Sequence, residues 1–268
     1  MIRTFFCIVL LILGTRTASA ETKLSTNDST VSDKYTLDVG MFYANSDSNF
    51  IVTNPKTGGT FPVDFEDELL LAEEQYLPYF EFTFSFNQRH NIYIDWKSLD
   101  RKADTETVSQ DFILEDIDGK DYLIETGAKL NTELNIDILR IGYGYDIWQG
   151  THYAVGVSVG IHTMFIETAF KGTIGICVPD STLTSLCSNA VATPEVIDDT
   201  LTAPLPDIGL YGSYEFYPGW TFDAHAQYFA IKYDDVDGSL IDIRLGVEAK
   251  ICDNWSLKLA YNYYDVDV

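Results

Sequence analysis

The chain is short of cations: 17 lysines and arginines stand against 41 aspartates and glutamates, for a formal net charge of -24. Binding a phosphate backbone needs the opposite balance, so nucleic acid and bare anionic surfaces are excluded as partners. Long hydrophobic runs are also missing. No window beyond the N-terminal segment approaches the ~18 consecutive apolar residues of a spanning helix, so no helix crosses a membrane. Cysteine is scarce, with 4 in all, which excludes a disulfide-dense scaffold.

What is present begins with Arg3, an apolar run from Phe5 to Leu13, and Ala18-Ser19-Ala20 before Glu21. This is the layout of a secretory leader with a small-residue cleavage site, and the run is too short to span as a helix. Residues 1–20 are therefore expected to be a signal peptide, 21–34 a flexible lead-in, and 35–268 a single domain. Without Arg3 and Arg16 the net charge becomes -26. Cys7 leaves with the leader. Cys177 and Cys187 lie close together in a loop-like stretch of an exported chain and are expected to form a disulfide, contributing roughly 2 to 3 kcal/mol. Cys252 is then unpaired and is expected to be a buried or partly buried structural thiol.

The domain is rich in aromatics, with Tyr 17 and Phe 16, and it alternates. Ile241, Ile243, Leu245, Val247, Ala249 and Ile251 share one strand face, and Asp242, Arg244, Gly246, Glu248 and Lys250 share the other. The same period appears at Tyr35 to Tyr43, Phe80 to Phe86, Ile92 to Trp96, Tyr153 to Phe165, Trp220 to Tyr228 and Trp255 to Tyr263. Counted with Asn131 to Ile147 and Asp207 to Tyr217, there are nine crossings. In the fourth, Leu134, Ile136 and Ile138 lie on one parity, but Leu139, Ile141, Tyr143 and Tyr145 lie on the other. Such a change of phase requires a bulge or marks where the strand leaves a membrane.

The connections are long after crossings one, three and five and tight after two, four, six and eight. Ser46 to Pro62, Lys102 to Lys129 and Lys171 to Pro204 read as long loops, and the second crossing is expected to build from Val63 to Leu71. Short turns on one side and long loops on the other are the habit of a transmembrane β-barrel, with the greasy face in lipid and the charges inside. A soluble calyx would have the opposite orientation. Phe86, Trp148, Tyr217, Trp220 and Trp255 beside the tight turns suit an interfacial girdle. Nine crossings are odd in number, whereas such barrels have an even count and no open edge. The expectation is an antiparallel barrel of about ten strands that lacks its closing strand here.

From Tyr35 to Val268 the chain resembles the small outer-membrane β-barrel proteins of Gram-negative bacteria, of the OmpA and OmpX kind. The resemblance rests on pattern, in stretches such as Leu139-Arg140-Ile141-Gly142-Tyr143-Gly144-Tyr145 and Leu257-Lys258-Leu259-Ala260-Tyr261-Asn262-Tyr263. The ending Asp267-Val268 departs from that group's terminal aromatic. The resemblance implies location in the bacterial outer membrane, with membrane lipid and the barrel-assembly machinery as partners. It also implies a structural or surface-interaction role with acidic extracellular loops, without enzymatic activity. A narrow porin is the alternative, and a barrel-embedded lipid-active enzyme the second alternative.

The inward charges expected are Asp38, Glu81, Asp95, Lys97, Arg140, Asp146, Asp223, Asp242, Arg244, Glu248, Lys250 and Lys258. Both signs are interspersed, so they are expected to pair and plug a narrow lumen rather than line an open pore. Ser158 and His162 share a face, but four strand residues separate them by roughly 13 Å, too far for a nucleophile and its base. Asp116-Ile117-Asp118-Gly119 and Asp235-Val236-Asp237-Gly238 each lack the first ligand of a calcium loop and read as Asp-Gly turns. No cofactor or metal is expected.

Overall fold

The computed structural model describes residues 3–16, 34–105, 107–117, 119–177, 187, 191–233 and 236–267. It contains thirteen strands: β1 (Arg3–Arg16), β2 (Tyr35–Thr53), β3 (Thr60–Asp64), β4 (Glu74–Phe86), β5 (His90–Thr105), β6 (Phe112–Ile117), β7 (Lys120–Ile124), β8 (Leu130–Gln149), β9 (Tyr153–Ile176), β10 (Val191–Tyr217), β11 (Trp220–Tyr233), β12 (Val236–Cys252) and β13 (Trp255–Asp267). All pair antiparallel with their neighbours. The ring runs β1-β13-β12-β11-β10-β9-β8-β5-β4-β2 and returns to β1, while β3, β6 and β7 sit on the loop side. The fold is a closed barrel of the outer-membrane kind.

The orientation of the side chains follows from the alternation. Leu245 is 44% exposed while Arg244 beside it is 5% exposed, and Ile141 at 52% neighbours Arg140 at 4%. The apolar stripe faces outward and the charges face inward, so the soluble-calyx arrangement does not apply to this part of the wall. From Ile241 to Ile251 the lipid-facing stripe of β12 rises about 26 Å, given ~3.4 Å per residue and the usual strand tilt. That matches the apolar band of a transmembrane barrel.

The nine expected crossings are β2, β4, β5 and β8 to β13. The tenth place, between β13 and β2, is taken by β1, with Arg3 opposite Asp267 and Asn49, and Thr15 opposite Trp255 and Leu37. This segment was expected to be the leader. A continuous apolar run can serve either as a leader or as a strand paired on both sides, and a segment removed on export cannot also close the sheet.

The strands run well past the lipid-facing band. Ser46 to Pro62 is not all loop, because β2 continues to Thr53 and pairs with β3. Within Lys102 to Lys129, β6 and β7 form a short hairpin. Lys171 to Pro204 is largely a two-stranded ribbon, with Val191 opposite Ile176 and Pro204 opposite Thr163. The second crossing starts at Glu74, and Phe65, Leu69 and Leu71 instead fold into the interior as part of a turn.

These extensions were missed because the polarity of the wall inverts above the membrane band. On β8 the inward parity carries Arg140, Gly142 and Asp146 in the lower half and Leu134, Ile136 and Ile138 in the upper half. The outward parity carries Ile141 and Tyr143 below and Asn135 and Asp137 above. No bulge separates the halves, since the one register shift against β9 lies between Asp146 and Trp148. The phase change in the sequence is thus the point where the strand leaves lipid and enters water. Below it the barrel is greasy outside and polar within; above it the reverse holds, as in a soluble protein.

Glycines on the inward face make room for aromatic rings. Tyr93 lies over its cross-strand partner Gly142, where a Cβ would stand 2.1 Å from the ring. Tyr211 covers Gly144 and Gly156 in the same way. The rings fill lumen volume that side chains on those strands would otherwise claim.

Candidate functional site

The period-two alternation of nine strands delivers their polar residues to one enclosed space, and the cross-strand register decides which of them meet. Asp95 and Arg140 are direct partners across β5 and β8, with Nη1 3.3 Å from the carboxylate. From Arg140 the contacts continue around the wall. Its Nε lies 4.0 Å from Asp207, whose Oδ2 lies 3.2 Å from His162 Nδ1. His162 Nε2 is 3.8 Å from Asp242. Asp242 also faces Lys97 at 3.4 Å and His225 at 3.5 Å, and it accepts from Asn262 Nδ2 at 2.6 Å. Lys97 donates to Asn262 Oδ1 at 3.2 Å. The result is a belt of fixed charges of both signs across the lumen.

A second tier lies nearer the tight turns. Arg244 Nη2 meets Glu81 at 2.7 Å, and Tyr79 bonds both. Lys258 lies 3.1 Å from Asp223 and 3.9 Å from Asp38. Tyr211 donates to Asp146 at 2.5 Å, and Asn91 supports both groups. Between the tiers lies a cavity of about 200 Å³ whose walls include Tyr93, Arg140, Ser158, His225 and Arg244.

Above the belt the lumen is filled by hydrocarbon. Phe42, Leu77, Leu99, Ile136, Ile138, Met164, Ile166 and Tyr264 are all buried and belong to one core cluster. One pocket between this cluster and the belt, lined by Leu77, Lys97, Leu99, Ile136, Ile138, Asn262 and Tyr264, holds about 10 Å³, at the lower limit for a single water. Among the described residues, the belt is therefore capped by packed apolar side chains on its loop side.

Ten of the twelve charges expected inside the barrel are brought together as described. Lys250 is not among them: β12 is leaving the barrel there, so the side chain is exposed and faces Asp253 at 3.4 Å across the turn. Glu248 lies half-buried on the inward parity, opposite Lys258. The belt also uses residues outside that set, namely Asp207, His225 and Asn262. Asp207 follows Pro204-Leu205-Pro206, where the alternation is hard to read, whereas the inward parity of the others was visible. Ser158 lines the cavity while His162 bonds Asp207 in the belt, so the two do not form a catalytic pair. Cys177 and Cys187 are joined, with Cα atoms 4.8 Å apart; Cys252 is free but exposed rather than buried, because it ends β12 at the tight turn.

Outside the membrane band, Arg101 is fully buried against Glu66 and donates to Ser48 Oγ at 2.6 Å. Burial pushes the Glu66 carboxyl above its ordinary value, and the guanidinium offsets part of that rise. Ligand atoms of Asp47, Asp64 and Glu66 lie within 4.8 Å of one another, but Arg101 already neutralises Glu66. Of the two Asp-Gly stretches weighed for calcium, Asp116 sits at φ 55° and its N–H donates to Asp121, as in a tight turn. The side chains of the second lie outside the described residues up to Asp237.

No protein-family model matches the chain, and no curated protein matches it. Among solved structures it is similar to the outer membrane protease OmpT from Escherichia coli, at 8% identity over 99% of this chain and 94% of that one, with a TM-score of 0.43. It is also similar to Ail, the attachment invasion locus protein of Yersinia pestis, solved with the heparin analogue sucrose octasulfate. That match has 8% identity, covers 100% of both chains and has a TM-score of 0.29. Likenesses this distant transfer neither an activity nor a ligand. One correction does follow: a protease stands among the matched structures, so the expectation of a chain without enzymatic activity is withdrawn.

Proposed function

We propose that the chain resides in a bacterial outer membrane as a barrel with a shut lumen, and that it acts from its extramembrane half as a surface-interaction protein. The observation that carries this reading is the buried apolar cluster above the charged belt, which places Leu99, Ile136, Ile138 and Met164 inside the barrel. Hydrated ions would have to displace Ile136, Ile138 and Leu99 as well as break paired charges, and both costs oppose conduction. What the molecule offers its surroundings is then the outer wall of the upper half. That wall carries exposed acids such as Asp47, Asp100, Glu167, Asp198 and Asp199. Membrane lipid around the lower band and the barrel-assembly machinery during insertion are the partners this reading requires.

Planar-bilayer recording on the purified full chain is the test. The expected result is no discrete conductance step. A stable, ion-selective step at low voltage would overturn the shut lumen in favour of the narrow porin.

A further inference from the structure

β10 is paired with β9 from Val191 to Tyr214, but it meets β11 only from Ile208 downward. Among the described residues no strand covers the other edge of β10 between Thr193 and Asp207. The prolines explain the split. Pro194, Pro204 and Pro206 share one parity, and the ladder to β9 runs through all three unbroken. In an antiparallel ladder a residue's N–H and C=O lie on one side, and successive residues point to opposite neighbours. The missing N–H groups must therefore belong to the side away from β9, where Pro204 and Pro206 deny β11 its donors.

By the same parity Val196, Asp198, Thr200 and Thr202 present their N–H and C=O groups to the open side. One hydrogen bond reports this independently: the Thr200 N–H donates to the Asp199 carboxylate at 3.0 Å and makes no use of β9. The free run is bounded by Pro194 at one end and Pro204 at the other. Val196 is 58% exposed, and Asp198, Asp199 and Thr200 are exposed with it.

We propose that this edge, Val196 to Thr202, binds an extended cationic polypeptide segment by strand addition. The proposal rests on the surface-interaction reading above and names its site and partner class. Charge decides between occupants. A second copy of the chain would set Asp198 and Asp199 against their own counterparts, and like charges directly opposite destabilise a pair. A lysine- or arginine-bearing strand would meet those carboxylates, with Glu167 beside them opposite Thr200, while the backbone supplies affinity without regard to sequence. The Asp199 carboxylate holds the Thr200 donor until the incoming strand's carbonyl replaces it.

The test uses the full chain in phosphatidylcholine nanodiscs and a fluorescein-labelled peptide of alternating lysine and threonine, read by anisotropy. Salt-sensitive binding is expected, with no binding of the matching glutamate peptide. N-methylation of alternate amides of the lysine peptide should weaken binding about tenfold or more, as loss of one or two net hydrogen bonds requires. Thr200→Pro should do the same while heat-modifiable gel mobility stays unchanged; if that variant fails to fold, the methylated peptide decides alone. Equal binding of the methylated peptide would overturn the edge site and leave an acidic surface that acts through side chains only. Failure of the lysine peptide to bind would overturn it too, as would a dimer that the peptide dissociates. None of these outcomes bears on the shut lumen, which conductance reads separately.

Discussion

A single arginine placed at different heights on the outer wall reads where the wall changes solvent. Leu245 sits four residues from Ile241 and six from Ile251, close to the middle of a lipid-facing stripe that rises about 26 Å. Its side chain is 44% exposed to whatever surrounds the barrel. If the surroundings are hydrocarbon, Leu245→Arg costs about 2 to 4 kcal/mol, the depth-dependent penalty for a cation near the midplane. Asp100 on β5 is equally outward but lies above the inversion, opposite Asn135. Asp100→Arg there meets water and is expected to change stability by no more than about 0.5 kcal/mol. Urea titration of the protein folded into lipid vesicles, followed by tryptophan fluorescence and gel mobility, measures both. Similar costs at the two sites, or a cost below about 1 kcal/mol at Leu245, would refute the placement of lipid against β12 and of water against upper β5.

Four further outcomes follow from the same geometry. Asp242→Ala leaves Lys97 buried without its carboxylate and takes the acceptor from His225 and Asn262, so a loss of about 3 to 5 kcal/mol is expected in the same urea titration. Gly142→Ala drives a methyl into the Tyr93 ring and should cost about 1 to 3 kcal/mol, most of it recovered in the double variant with Tyr93→Ala. The Asp111 carboxyl is held below its usual range by Lys56 and by the Thr126 N–H and hydroxyl. Its contribution is therefore complete above the ordinary carboxylate value and fades as the pH falls through the lower folded value. Limited proteolysis near Lys56 should rise only in acid, and Asp111→Asn should raise it already at neutral pH. N-terminal sequencing of the membrane form decides between the two roles of Arg3–Arg16. The closed ring requires a chain that keeps Arg3, and a start at Glu21 would show that the segment is a leader and that the seam between β13 and β2 closes without it.

The lower half of the barrel was legible in the sequence because lipid demands an unbroken greasy stripe, and stripes such as Ile241 to Ile251 have one period only. The tight turns at Asn87, Gly150, Gly219 and Asp253 supplied the topology. The upper half was hidden by its own chemistry. Outward Asn45 and Asp47 alternate there with inward Ser46 and Ser48, which leaves no apolar face to count, although both serines are buried. The phase change on β8 carried the clue, and of its two readings the exit from the membrane is the one observed. For the belt, parity identified which charges face inward, but pairing depends on register, so the meeting of Arg140 with Asp207 and of His162 with Asp242 could not be read from one strand at a time. Lys250 shows the limit of parity, which continues in the sequence past the point where the barrel ends.

The inversion of the wall also sets how far the loops stand from the bilayer. Beyond Phe165, the last aromatic of the β9 stripe, the strand continues to Ile176 and so climbs about 30 Å more at ~3.4 Å per residue with the usual tilt. The Cys177–Cys187 disulfide is carried at the tip of that mast, clear of the headgroup layer. A crust of glycolipid or adsorbed sugar thick enough to bury the upper end of β13 would still leave the mast in reach of large molecules passing through the medium.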